Sequence, residues 1–354
     1  MNAEWQQKLI SFGLEQTDSG LSYPASPGAT DVFCTLDAEV ILEVTGEGAE
    51  PFLQAQFSND VVAMDIPGSQ LNTWSSPKGR VITLFRLTRI ADGYLIRMPR
   101  VLSEPVLKRL KMYASMFRVK IDQRAVMVEV NVDQRDDLIT VGLSGDSVEP
   151  SMQNAGIVLP QEVDATVALP KTFSADGWIT KVRGTVARYE MTANANTLAT
   201  LWGHCEEHFQ LAAESEWRLQ NIDAGLPSVT EATTEAFVLQ MMNLNFINGV
   251  SFKKGCFPGQ EVVARMQYLG KLKRQMFRLS YDGENLPVAG DEIFKAGSAS
   301  AAGKVVDAVS TGDNTSRMLA VIAIDATTEP LYLDKEASMP VKLLELPYEL
   351  TATD

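Results

Sequence analysis

The sequence predicts an α+β protein of more than one domain that ends in a small β-barrel, and three observations point that way. At 354 residues the chain is long for one hydrophobic core and suggests two or three domains. Its first apolar runs meet across tight turns in antiparallel fashion, with amphipathic helices between them, so they do not form a βαβ series. After Lys271 the pattern changes to strands divided by Gly, Asp and Asn turns, the spacing of a small barrel.

Each element follows from local chemistry. Val40 to Val44 reads as a strand, Gly46 to Gly48 as a turn, and Ala49 to Phe57 as a short helix with Phe52 and Leu53 inward. Leu71 to Ser75 and Arg80 to Ile90 form a hairpin about Ser76-Pro77-Lys78-Gly79, and Ala91-Asp92-Gly93 turns the chain into the strand Tyr94 to Met98. Leu102, Val106, Leu110, Tyr113 and Phe117 make the apolar stripe of a helix packed on that sheet. Strands at Ala125 to Val132 and Leu138 to Leu143, a helix after Asp146, short strands between Val163 and Met191 and a helix from about Ala193 make a second α+β unit. The barrel strands fall at Lys273 to Tyr281, Asp291 to Phe294, Gly303 to Ser310, Met318 to Ile324 and Val341 to Leu346.

Composition excludes several classes. The apolar content of 45% is that of a folded globular protein. The N-terminus lacks a basic region followed by an apolar one, and no apolar stretch is long enough to span a bilayer, so the expected address is cytoplasmic, with no membrane partner. Three cysteines without a CxxC pair argue against a disulfide framework or structural zinc, and the only histidines, His204 and His208, lack a third ligand nearby; no metal is expected. No phosphate loop, dinucleotide fingerprint or nucleophile elbow is present. The formal net charge of -14 argues against extensive direct nucleic-acid binding.

Against this acidic background, residues 251–275 carry six cations (Lys253, Lys254, Arg265, Lys271, Lys273, Arg274) and one anion (Glu261), a local +5 that leaves -19 on the rest. Such an island suits a small anionic ligand or an acidic partner surface; a solvated cationic helix end is the plainer alternative. Within it Cys256 stands between Gly255 and Gly259, beside Lys253 and Lys254 and ahead of a helix opened by Pro258, Gln260 and Glu261. Glycines let a ligand approach the backbone, while ammonium groups and a helix N-terminus stabilise a thiolate. Cys256 and Lys254 are therefore the candidate reactive groups. Cys34 and Cys205 read as apolar filler or inert helix residues. Gln260 and Glu261 can accept from a heterocycle's N–H groups, and Glu261 and Arg265 can meet as an i, i+4 pair. Trp217, in the helical run Glu216 to Asp223, reads either as core packing or as a ligand-stacking ring.

The run Lys254-Gly255-Cys256-Phe257-Pro258-Gly259-Gln260-Glu261 resembles the K-G-C-[FY]-x-G-Q-E signature of the YgfZ-type folate-binding proteins, relatives of the glycine-cleavage T-protein (aminomethyltransferase). Gly46 to Asp60, Trp217 to Pro227 and the Gly270, Lys271, Lys273 and Arg274 continuation are similar as well. The resemblance implies three domains around a central channel: a discontinuous folate-binding domain of 1–124 and 209–262, an α+β domain of 125–208 and a barrel domain of 263–354. It implies a folate cofactor (tetrahydrofolate or a derivative) and a supporting role toward iron-sulfur enzymes, such as those of tRNA methylthiolation. The expected function is thus a folate-binding accessory protein for iron-sulfur cluster assembly or repair and, indirectly, tRNA modification. An enzyme of the tetrahydrofolate-dependent aminomethyl-transferase kind is the alternative. On this resemblance Trp217, Lys253, Gly255, Gly259, Gln260, Glu261 and Arg265 bind the cofactor, with the lysine-rich island holding the glutamate tail and Trp217 near the pterin. A second ligand-associated tryptophan of the relatives falls at Glu39.

Overall fold

The structure is a computed structural model that describes residues 2–18, 20–24, 29–121, 124–174, 176–268, 270–312 and 314–350. Two sheets and a closed barrel organise them. The first sheet has five antiparallel strands in the order Asn131–Gln134, Glu39–Thr45, Gly93–Pro99, Val81–Ile90 and Gly68–Ser75. The second has six, in the order Thr166–Ala168, Trp178–Lys181, Arg188–Ala193, Ile139–Ser144, Val32–Thr35 and Gln210–Ala212. Only the pairing of its last two strands is parallel. In the barrel, Arg274–Asp282, Thr315–Ala323, Gly303–Gly312, Glu292–Lys295, Leu331–Tyr332 and Pro340–Leu344 follow one another and close on the first strand. The α+β class and the C-terminal barrel expected from the sequence are what the chain adopts.

Helices Ala49–Gln56 and Ser103–Ser115 cover the first sheet through Phe52, Leu53, Val106 and Leu110. Barrel residues Met276, Val306, Leu319 and Val321 enter the same core, which ties the barrel to the first sheet. Phe117 packs edge-on against Phe52, with ring centroids 5.3 Å apart, whereas Tyr113 leaves the core for a partly exposed contact with Trp74. The second core holds the N-terminal helix Ala3–Ser11 and helix Ala195–Cys205, packed through Trp5, Leu9, Leu198 and Trp202. Asn2 caps the first of these by accepting from the Trp5 N–H at 3.0 Å.

Several elements differ from the sequence reading. Ala125 to Val132 is two strands, Arg124–Met127 and Asn131–Gln134, and the second belongs to the first sheet beside Glu39–Thr45. Conversely Val32–Thr35, close in sequence to that same strand, lies in the second sheet against Ile139–Ser144. The chain therefore exchanges strands between the two sheets.

Helix Glu214–Asp223 joins all three parts. Trp217 sits with Val32, Cys34 and Val182, Leu219 and Ile222 enter the first core, and Arg218 pairs with Asp307 of the barrel.

The two sheets meet across a line of buried charge. Arg86 and Arg97 are directly opposed on neighbouring strands of the first sheet, an arrangement that repels unless an anion sits between them. Glu190 of the second sheet supplies it, 3.1 Å from Arg86 and 2.6 Å from Arg97. Asp164 adds a 2.7 Å contact to Arg86, and Glu39 pairs with Arg97. Burial by itself pushes the Glu190 carboxyl up, but Arg97, Arg86 and Arg188 together hold it below the usual range. Glu190→Ala leaves two buried guanidinium groups short of an anion and is expected to cost about 3–5 kcal/mol. Urea unfolding of the variant checks this; an unchanged midpoint would mean that the contact contributes nothing to sheet docking.

Candidate functional site

The cysteine loop is built on a lysine. Lys254 is 8% exposed, and its ammonium donates to three backbone carbonyls: Gln54 at 2.6 Å, Phe57 at 2.5 Å and Asn59 at 3.0 Å. These oxygens lie at and just beyond the C-terminus of helix Ala49–Gln56, where carbonyls lack helical partners and the dipole favours a cation. An ammonium has three donors, and all three are used. Burial pushes its pKa down to about 8, opposed by the Asp60 carboxylate. Lys254 thereby anchors the loop, with its side chain directed into the fold.

Glycine makes the second anchor. Gly259 has φ +81°, and a Cβ there would lie 2.6 Å from the Gly79 Cα and 2.6 Å from the Ser76 carbonyl oxygen. The loop thus sits directly on the hairpin turn of the first sheet. Gly79 has φ +70° and faces Val262 in return. Phe257 and Val263 are buried in the first core, and Gln240 donates to the Val263 carbonyl at 2.6 Å, fixing helix Gln260–Tyr268. Gly255 meets nothing within 4 Å of a built Cβ, so it leaves room beside the cysteine.

On this support Cys256 is exposed, while Cys34 and Cys205 are buried with thiols that burial pushes up, Cys205 to about 12. Lys253, Glu261, Arg265, Lys271, Lys273 and Arg274 are exposed, and Gln260 is half-buried at the helix start. Among the described residues none of the five exposed cations forms an ion pair, and the expected Glu261–Arg265 pair is not made. The exposed thiol of Cys256 therefore belongs to a segment whose exposed cations make no ion pair among the described residues.

Trp217 lies elsewhere. It is 3% exposed, packed against Gly142, where a Cβ would come within 2.5 Å of the ring, and the Arg188 guanidinium lies 3.9 Å from the indole centroid. Burial pushes Arg188 down to about 10. None of the residues packed about Trp217 is among those that hold the cysteine loop. A planar ligand reaching the indole has to displace Arg188.

Residues to which the sequence reading gave no role, among them Asp37, Arg97, Arg100 and Arg135, line a cavity of ≈ 280 Å³ where the sheets meet, together with Glu39. Leu36 belongs both to its wall and to the Trp217 cluster. Burial raises the Glu39 carboxyl, with Arg97 opposing. Next to it Glu214 accepts from the Ala38 N–H at 2.6 Å, and burial, reinforced by Glu39 and Asp37, raises its carboxyl to about 7. Two arginines at buried or half-buried strand positions, Arg86 and Arg97, were the available signal; only register shows that they face each other. Among the described residues no three His, Cys, Asp or Glu side chains gather to hold a metal, and no helix is long and apolar enough to cross a membrane.

The architecture is that of an aminomethyltransferase of the glycine cleavage system. The crystal structure of aminomethyltransferase T from Bartonella henselae superposes with a TM-score of 0.72 over 96% of each chain, at 12% identity. In sequence the chain is related to the YgfZ-type proteins. It is 28% identical over 316 residues to the tRNA-modifying protein YgfZ of Colwellia psychrerythraea, covering 88% of this chain and 91% of that protein. It is 29% identical over 318 residues to the tRNA-modifying protein YgfZ of Escherichia coli, covering 89% and 93%. No family model matches the sequence.

Two predictions follow from the geometry. Lys254→Met keeps side-chain length but leaves three carbonyls without their donor, at an expected cost of about 1.5–3 kcal/mol; urea melts measure it, and faster proteolysis near Cys256 locates the loosening. Glu214 has a folded-state pKa of about 7 against an ordinary 4.5, so the folded protein binds the extra proton between those values. Its stabilising contribution is full below pH 4.5 and is lost as pH rises to about 7. Glu214→Gln, which retains the acceptor for Ala38, should flatten the fall of thermal midpoint across that window; an unchanged slope removes Glu214 as its cause.

Proposed function

We propose that the chain is a cytoplasmic folate-binding accessory protein that supports iron-sulfur cluster assembly or repair and, through it, tRNA modification. The observation that carries this reading is the exposed Cys256 on a doubly anchored loop, in a sequence segment whose five exposed cations make no ion pair among the described residues. The relatives' description as tRNA-modifying proteins gives the direction of the biology. On this reading the first domain comprises 1–124 and 209–262, the second 125–208 and the barrel 263–354, with strands exchanged across the first boundary.

Lys253, Arg265 and the neighbouring cations attract the glutamate tail of a tetrahydrofolate, with Gly255 giving the tail access to the backbone, Gly259 serving the site by seating the loop on the hairpin turn, and Gln260 and Glu261 offering acceptors. Trp217 meets the pterin only after Arg188 yields its place over the ring. Cys256 serves as the functional thiol, which Lys254 presents by fixing the backbone two residues away. Iron-sulfur enzymes, such as those of tRNA methylthiolation, are the clients.

Titration calorimetry with mono- and polyglutamylated tetrahydrofolate tests the ligand. Added glutamates should tighten binding and salt should weaken it; equal affinities without salt dependence would remove the tail assignment. Cys256→Ser should retain the thermal midpoint and folate affinity while failing to restore tRNA methylthiolation in cells lacking the protein. Full restoration by that variant would show the thiol to be dispensable. Turnover of an aminomethyl donor by the wild type would instead make the protein a one-carbon transferase.

A further inference from the structure

A groove of ≈ 480 Å³ beside the cysteine loop has a use the folate reading does not require. Its volume lies within the range of small-molecule sites. Three features of its lining call for three different chemical groups. Tyr268, at the end of helix Gln260–Tyr268, is 70% exposed and is held edge-on by Phe252, with centroids 6.3 Å apart and planes at 71°. Tyrosine is a large apolar ring with no core role here, and it presents a stacking surface to the groove. The Asn245 Oδ1 is buried without a hydrogen-bond donor among the described residues. Such an acceptor calls for an N–H from a ligand or a water. Lys253 is exposed, lines the same groove and makes no ion pair; its ammonium suits an anion. Gln267 and Asn248 add amides that can donate or accept.

We propose that this groove binds a nucleoside 5′-phosphate, with the base on Tyr268, a base N–H on Asn245 and the phosphate at Lys253. A planar ring, an N–H edge and an anion occur together in that ligand. The small footprint is consistent with the charge of the chain: the local +5 of residues 251–275 accommodates one phosphate or a few, while the -19 of the remainder resists a long polyanion. The nucleotide can be free or can belong to a single strand, since the recognising chemistry is shared.

The test is calorimetric binding of AMP, GMP, CMP and UMP, and separately of a single-stranded RNA pentanucleotide, to the full chain. Tyr268→Ala should weaken binding about 5- to 150-fold, the range for losing one base-stacking contact. Lys253→Ala should weaken it and reduce its salt dependence. Both side chains are exposed, and unchanged thermal midpoints would show that the variants remain folded. Tyr268-dependent binding of the mononucleotides places a free nucleotide in the groove; Tyr268-dependent binding of the pentanucleotide alone identifies a strand as its source. The proposal is overturned if neither probe binds, or if Tyr268→Ala binds as wild type does. It is also overturned if tetrahydrofolate displaces the nucleotide and Tyr268→Ala loses folate as well, because the groove is then a folate subsite. Failure of folate to bind, with nucleotide binding intact, would count against the folate reading alone.

Discussion

Glu190 sets the relation between the two sheets. Register places Arg86 opposite Arg97 on adjacent strands, so the first sheet carries a concentrated positive charge on the face turned toward the second. Without a carboxylate from the facing sheet, burying that charge would cost several kcal/mol per ion. Glu190 meets both arginines at once, and Asp164 and Glu39 take up remaining donors. An apolar interface would allow the sheets to slide; this one admits few positions, because each guanidinium has to meet a carboxylate in its own direction. The cavity lined by Glu39, Arg97 and Arg100 borders that polar seam.

The cysteine loop applies the same rule at smaller scale. Residues 251–275 contain six cations, and the fold separates them by burial. Lys254 is enclosed by three carbonyls, whereas the other five are exposed and make no ion pair among the described residues. One cation therefore holds the backbone in place, and the others leave exposed positive charge along the segment that carries Cys256, a field that falls away within about 10 Å at moderate salt. Rigidity and charge come from different members of one short sequence. The contact of Gly259 with Gly79 completes the arrangement, because it seats the loop on the hairpin turn of the sheet that Glu190 positions.

Most strands and helices were legible because their signals are local. The hairpin about Ser76 to Gly79, the stripe of Val106 and Leu110 and the turn-divided barrel strands each announce themselves within a dozen residues. Val32–Thr35 was not: its four residues are all buried, so they show no alternation, and its partners lie more than a hundred residues away at Ile139–Ser144 or in parallel at Gln210–Ala212. The N-terminal helix is short and gains its stability from Trp5 and Leu9 meeting helix Ala195–Cys205, a tertiary contact absent from local propensity. The Cys256 loop was legible as a site because cysteine, glycine and lysine adjoin in sequence. The direction of Lys254 was not, since the carbonyls it meets are set by the end of a helix two hundred residues earlier.

Glu39 shows how far a single position depends on this frame. It occupies the place where the YgfZ-type resemblance would put a second tryptophan, yet in this chain its carboxylate pairs with Arg97, which also serves Glu190. A tryptophan at residue 39 would take that partner from Arg97 and put a large ring into a cavity of ≈ 280 Å³. The two residues therefore make sense only together: an arginine that bridges the sheets and still has donors to spare requires an acid on the cavity side. This wall thus offers carboxylate acceptors and guanidinium donors where an indole would offer a stacking face. Any ligand that enters here is recognised by hydrogen bonds and charge more than by stacking, and the raised carboxyl of Glu39 makes that recognition sensitive to pH.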